Sequence, residues 1–373
     1  MSDASPDTSS RRRLRQARDR LATALITAGG IGVVVAVLAI GVFLALEALP
    51  LLWLPSGTET LGLSALAWGT LEAAAWSLVI AVPLSLGAAI HSAMFMSRRL
   101  RSRLKPTLEL MEALPGVVIG FVAGLVMAPW VERHLGEVFA LIVLLPPGLL
   151  LAAGLRACLP YRWQRWLPMG YAGLWLVPWL LLVMATALWL SPWLEVWWFG
   201  GDLRDWLEQG LGLDVAMRNA LVVGVAMGFA VIPSVYALAE EALSGVPSSL
   251  AEGAQALGAT RWQTLWRVML PAASPGVLAA VMIGAGRAVG ETMIVLMASG
   301  NAALMTLNPL DGLQSLAAGI AIELPEADPG GAHYRWLMLA ALLLFLFTFL
   351  VNTLAELVRT GLRRRYRQLG GNA

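Results

Sequence analysis

Charge is scarce in this chain. Asp, Glu, Lys and Arg make up 13% of its 373 residues, about half the share of a soluble domain. There is one lysine, Lys105, and one cysteine, Cys158. A lone cysteine excludes an intrachain disulfide, and no Cys/His cluster with metal-ligand spacing surrounds it. No metal or cofactor is therefore expected, and Cys158 reads as a small apolar residue near a helix end. No G-x-x-x-x-G-K-[ST] loop occurs: Lys105 stands in Arg-Leu-Lys-Pro without a glycine-rich lead-in, so the chain is not expected to be its own ATPase. G-x-S-x-G and H-E-x-x-H are missing as well, which leaves no catalytic residue to name and no reading as an enzyme. A net charge of +2, with the arginines in short clusters between apolar runs, gives no surface for nucleic acid.

What is present is apolar length. Hydrophobic residues account for 58% of the positions, and runs able to cross a bilayer recur at about 21–46, 66–96, 108–127, 138–155, 167–190, 220–239, 275–299 and 336–358. At about 20 residues per crossing, these define an all-α, polytopic transmembrane helical bundle of about eight spans surrounded by membrane lipid. The run 138–155 is interrupted by Pro146 and Pro147. If it and its successor were re-entrant, six spans would remain with the same parity. The first run is longer than the ~7–15 residue core of a cleaved signal peptide, so it reads as a spanning helix.

The loops orient the bundle. Arg11, Arg12, Arg13, Arg15, Arg18 and Arg20 precede the first span. Further clusters fall at Arg98 to Lys105, at Arg156, Arg162 and Arg165, at Arg261 and Arg267, and from Arg359 to Arg367. Every second loop is basic, which places those loops and both termini in the cytoplasm. The alternate loops carry Glu132, Glu137, Asp202, Asp205, Glu208, Glu326 and Asp328, with interface-type Trp193, Trp197, Trp198 and Trp206 beside them. They are expected outside.

The inside loop 240–274 contains Glu252, Gly253, Ala254, Leu257 and Gly258, followed after a fixed interval by Val268, Leu270 and Pro271. Ser248 or Ser249 is expected to cap a short helix that Gly258 ends. Trp262, Leu265, Trp266 and Met269 then fall at helical spacing, as in an amphipathic helix. This spacing resembles the coupling-loop signature of bacterial ABC importer permeases, E-A-A, three residues, G, nine residues, I-x-L-P, with Gly253 and Val268 as departures. Gly286-Arg287-Ala288-Val289-Gly290-Glu291-Thr292-Met293 is similar to the G-R-A-x-G-E-T-M motif of the phosphate importer permeases of PstC type. Ala81-Val82-Pro83-Leu84 resembles the start of that permease core, and Leu114 to Gly120 resembles its P-S-V-x-x-G, with Gly116 in place of the serine.

The resemblance implies a second permease subunit, two ATP-binding subunits docked on the 240–274 loop, an external phosphate-binding protein, phosphate as substrate and a bacterial inner-membrane location. Charge, apolar length and the resemblance together divide the chain into a disordered basic tail (1–20), a first span with its external loop (21–65), a first core part (66–137), two inserted helices with an external loop (138–214), a second core part with the coupling loop (215–358) and a basic tail (359–373). A permease for another oxyanion, or a membrane assembly protein without transport, are the alternatives.

Arg287 and Glu291 are four residues apart in an apolar run and would share a face of one helix. Each costs about 2.5–3.5 kcal/mol at the centre of an isolated span, so they should face protein or a water-filled path. Either they pair and lock helix packing, with Gly284, Gly286 and Gly290 letting neighbours approach, or Arg287, Glu291 and Thr292 line the substrate pathway and Arg287 meets the oxyanion with its planar fork of donors. Glu72 is expected to reach headgroups, Glu109 and Glu112 to sit in the first turns after Pro106, and His91 to be a packed or interfacial histidine.

Overall fold

The computed structural model describes residues 8–53, 59–160 and 172–370. Among the described residues, eight helices are long and apolar enough to span. They overlap the eight runs expected, because continuous apolar sequence can satisfy its backbone in lipid only by coiling on itself, but Gly116–Arg133 and Arg261–Val289 are displaced from the runs 108–127 and 275–299. The first helix, α1 (Thr8–Ala48), is helical back through much of the expected 1–20 tail; residues 1–7 lie outside the described residues. Next come α2 (Glu59–Met94), α3 (Arg98–Glu112), α4 (Gly116–Val122) and α5 (Ala128–Arg133), the last two joined by a wide π turn at Ala123–Met127.

A helical hairpin follows, α6 (Leu135–Cys158) and α7 (Ala172–Phe199), with α8 (Leu203–Gly210) after it. The prolines at 146 and 147 do not break α6. Leu167, the expected start of the fifth span, lies outside the described residues. The remainder is α9 (Ala220–Ser244), α10 (Ser248–Ala256), α11 (Arg261–Thr264), α12 (Leu270–Val289), α13 (Met293–Ala298), α14 (Leu316–Glu323) and α15 (Ala332–Gly370).

The core gathers around α9. Two thirds of its apolar stretch, 67%, is buried, against 17% for α15 and none for α1, so α9 is the central post and α1 a peripheral helix. Small residues bring the neighbours close. A Cβ on Gly224 would lie 2.8 Å from Trp76 Cβ on α2, and one on Gly284 of α12 would collide with Val235 of α9. The α6–α7 hairpin packs chiefly on itself, with Gly148 against Val183 and Trp179 Nε1 donating to the Gly148 carbonyl at 2.9 Å. It joins the remainder through a small apolar cluster of Leu135, Leu203 and Val215, beside which Arg204 pairs with Glu132 and Glu208.

Two expected spans are broken. The run 108–127 divides into α3 and α4, because Pro115 holds an extended backbone (φ −61°, ψ 134°) ahead of Gly116. The run 275–299 divides into α12 and α13 at Gly290, Glu291 and Thr292. Glu72 also departs from expectation: it is buried within the bundle, and among the described residues its Oε1 has no hydrogen-bond partner. His91 stacks on Phe95, as a packed histidine does.

Candidate functional site

The two breaks meet. α4 lies along α13 so closely that a Cβ on Gly120 would stand 2.8 Å from the Met293 carbonyl oxygen, and one on Gly124 would collide with the Met297 carbonyl. One turn earlier on the same face, Gly116 faces Glu291: a Cβ there would lie 2.8 Å from Glu291 Oε1. Glu291 sits past the end of α12 and does not continue the face of Arg287. Of the two alternatives, the Arg287–Glu291 pair does not form. A helical spacing of four brings two side chains together only while the helix lasts, and this one stops at Val289.

Arg287 instead donates from Nη1 to Glu112 Oε1 at 2.8 Å and to Ser234 Oγ at 3.1 Å. Glu112 is the last residue of α3, which runs through Pro106, so it is not in a first turn as expected. Ser234 lies near the middle of α9 (Ala220–Ser244), which sets the cluster at mid-depth in the bundle. The Arg287 side chain stays 35% exposed and that of Glu112 44%. Charge exposed at this depth does not face lipid, since ionisable groups within spans turn to protein or to water-filled space. Unwound backbone at membrane depth carries the same implication. Among the described residues Glu291 makes no ion pair, and Thr292 lines an apolar cleft with Ala317 of α14 and Leu344 of α15. The glycines of α12 serve packing, Gly284 against Val235 and Gly286 against Asn352 of α15.

The sequence reading missed Glu112 and Ser234. Its one available signal was the nearness of Glu112 to Pro115, which ends α3 and leaves the glutamate at a helix terminus in the bundle.

The second candidate region is the 240–274 loop. No residue of α10 is buried, and Leu257 at its end is 91% exposed. Its N-cap position is Pro247, without a side-chain cap, and Ser248 is the first helical residue; the expected serine cap does not form. The C-terminus is as expected. Gly258 has φ +89°, its N–H donates to Gln255 O (2.9 Å) and that of Ala259 to Ala254 O (3.1 Å), the Schellman arrangement. Thr260 and Gln263 then form a capping box for α11. The expected single apolar stripe divides: Leu265 and Met269 face the bundle and are buried, whereas Trp262 and Trp266 stay exposed, edge to face at 5.7 Å.

A many-span helical bundle in which broken helices enclose an arginine at mid-depth, and an unburied helix projects from a loop between spans, is the membrane subunit of a transporter. Residues 81–368 match the family described as "Binding-protein-dependent transport system inner membrane component", and the chain belongs to this family. Among curated relatives, the phosphate transport system permease protein PstC of Pasteurella multocida is 26% identical over 291 residues, covering 78% of this chain and 72% of the relative. That of Mesorhizobium japonicum is 27% identical over 299 residues (80% and 73%), and that of Haemophilus influenzae 27% over 296 (79% and 75%).

Proposed function

We propose that this chain is the permease subunit of an ATP-driven importer of inorganic phosphate, and that the anion passes Arg287, Glu291 and Thr292. One observation carries the reading: a guanidinium at mid-depth, a third of it uncovered, where two spans are unwound. An uncovered planar fork of donors suits an oxyanion. The relatives named for phosphate transport supply the choice of oxyanion. Glu291 fits that choice, because its carboxylate can accept the hydroxyl proton of monohydrogen phosphate, which sulfate lacks at neutral pH; a site built around such a bond discriminates strongly.

The energy comes from two ATP-binding subunits docked on the 240–274 loop. Glu252, Gly253, Ala254, Leu257 and Gly258 form the contact, and Leu270 and Pro271 carry the movement into α12. The wholly unburied α10 and the exposed Leu257 support this. A second permease subunit completes the pathway, an external phosphate-binding protein delivers the anion, both termini are cytoplasmic, and 138–214 is an insertion in the core.

The test is uptake of radiolabelled phosphate by proteoliposomes holding the chain with its co-expressed partner subunits and external binding protein. ATP-dependent uptake that excess sulfate leaves unchanged is expected. Equal competition by sulfate, or no phosphate uptake by an assembled complex, would contradict the reading.

A further inference from the structure

Helix α3 is fastened at both ends by ion pairs. Near its start, Arg101 Nη2 donates to Glu240 Oε1 and to Ser244 Oγ, and the Ser244 hydroxyl donates to Glu240 Oε1 at 3.1 Å. Glu240 is buried, and Ser244 is the last residue of α9, just ahead of α10. At the far end, about 16 Å away at 1.5 Å per residue, Glu112 closes on Arg287. Between these fastenings α3 rests on the core through Leu104 and Leu108, while Ser102, Arg103 and Leu110 on its other side are exposed. A helix that, among its described side chains, meets the core cluster through two leucines and two polar clasps is free to shift along its seam more easily than one packed on every side.

We propose that Glu112 is a displaceable counter-ion that occupies on Arg287 the place of the transported oxyanion, and that α3 links the 240–274 loop to it. This rests on the reading of Arg287 as a pathway residue and of the loop as the ATPase contact. A carboxylate and an oxyanion compete for the same guanidinium donors, so the Glu112–Arg287 pair and the anion–Arg287 contact are alternatives. When the ATP-binding subunits draw α9 and α10, the Arg101 clasp carries α3 with them and withdraws Glu112, opening Arg287 to the anion. On the return stroke Glu112 takes Arg287 back and releases the anion. Ser234 and Glu291 complete the surroundings: the serine, carried by α9, gives up the arginine together with Glu112, and Glu291 stands by Gly116 on the other break.

The lever is tested without reference to the anion. In the complete transporter in nanodiscs, with Cys158→Ser as background, spin labels are placed at Leu110→Cys on α3 and Ile283→Cys on α12, both exposed sites. The inter-label distance is expected to lengthen by several ångström when a hydrolysis-deficient ATPase subunit holds ATP. The response should vanish in the double variant Arg101→Gln/Glu240→Gln, which removes both charges together and strands neither. An unchanged distance in the parent, or an undiminished response in the double variant, would overturn the lever.

The counter-ion role is tested by equilibrium binding of radiolabelled inorganic phosphate to the same complex without the external binding protein. Glu112→Gln should tighten binding about fivefold or more, the usual size of a coupling between two sites. Equal or weaker phosphate binding by an assembled Glu112→Gln complex would overturn it. If Glu112→Gln instead tightens sulfate while the label response persists, the lever stands and the phosphate reading of the site falls.

Discussion

A guanidinium at mid-depth in a bundle of spans is costly, and Arg287, in the last turn of α12, offsets that cost with two partners from other helices, Glu112 and Ser234. Removing the arginine alone leaves Glu112 without its counter-charge in the bundle, so Arg287→Ala confounds folding with function. The glycines around it are simpler to interpret. A side chain at Gly284 meets Val235 on the central helix, so Gly284→Leu is expected to destabilise the subunit by about 1–3 kcal/mol through overpacking. The check is a lower midpoint in thermal unfolding of the detergent-purified complex, and an unchanged midpoint would contradict the packing described. Arg287 was legible in the sequence because charge is so scarce inside the apolar runs. Its partner was not, since the pair joins residues 175 positions apart and helical spacing reports only neighbours three or four residues away.

At the level of elements, the existence of the apolar spans was legible, whereas their interruptions and several of their ends were not: the run 108–127 becomes a span at Gly116–Arg133 and the run 275–299 one at Arg261–Val289. Pro115 breaks a span while Pro83, Pro233 and the Pro146–Pro147 pair do not. A proline in a membrane helix breaks it only if neighbours satisfy the freed backbone or open a cavity beside it, which is a tertiary property. The end of α10 was legible, because a glycine in the left-handed region is chemistry local to the chain. At φ +89°, any side chain at position 258 is strained, at a cost of about 1–2 kcal/mol. Gly258→Val should therefore distort the turn that presents Leu257 and separate ATP hydrolysis from uptake. The ratio of phosphate imported to ATP hydrolysed, measured in proteoliposomes, should fall; an unchanged ratio would leave the loop as an interfacial helix without a coupling role.

For the whole molecule, the alternation of basic and acidic loops predicts sidedness that the helix count alone does not give. Single cysteines at Arg99 and Arg364 should react with a membrane-impermeant thiol reagent only from the cytoplasmic side, and those at Asp205 and Glu326 only from outside. Arg99 and Asp205 reacting from one side would overturn the orientation. The α6–α7 hairpin packs chiefly on itself and reaches the α9-centred core through Val138 and the Leu135, Leu203 and Val215 cluster.

The central claim is that the oxyanion meets Arg287, and phosphate uptake by two variants, each normalised to assembled transporter, tests it most directly. Arg287→Lys keeps the charge but loses the fork, and uptake should fall about tenfold or more, the worth of one charge-assisted hydrogen bond. Arg287→Gln/Glu112→Gln removes both charges of the pair together, so the complex should assemble and still fail to transport. Retained uptake in both variants would show that the pair only holds α3 to α12, and would contradict the account.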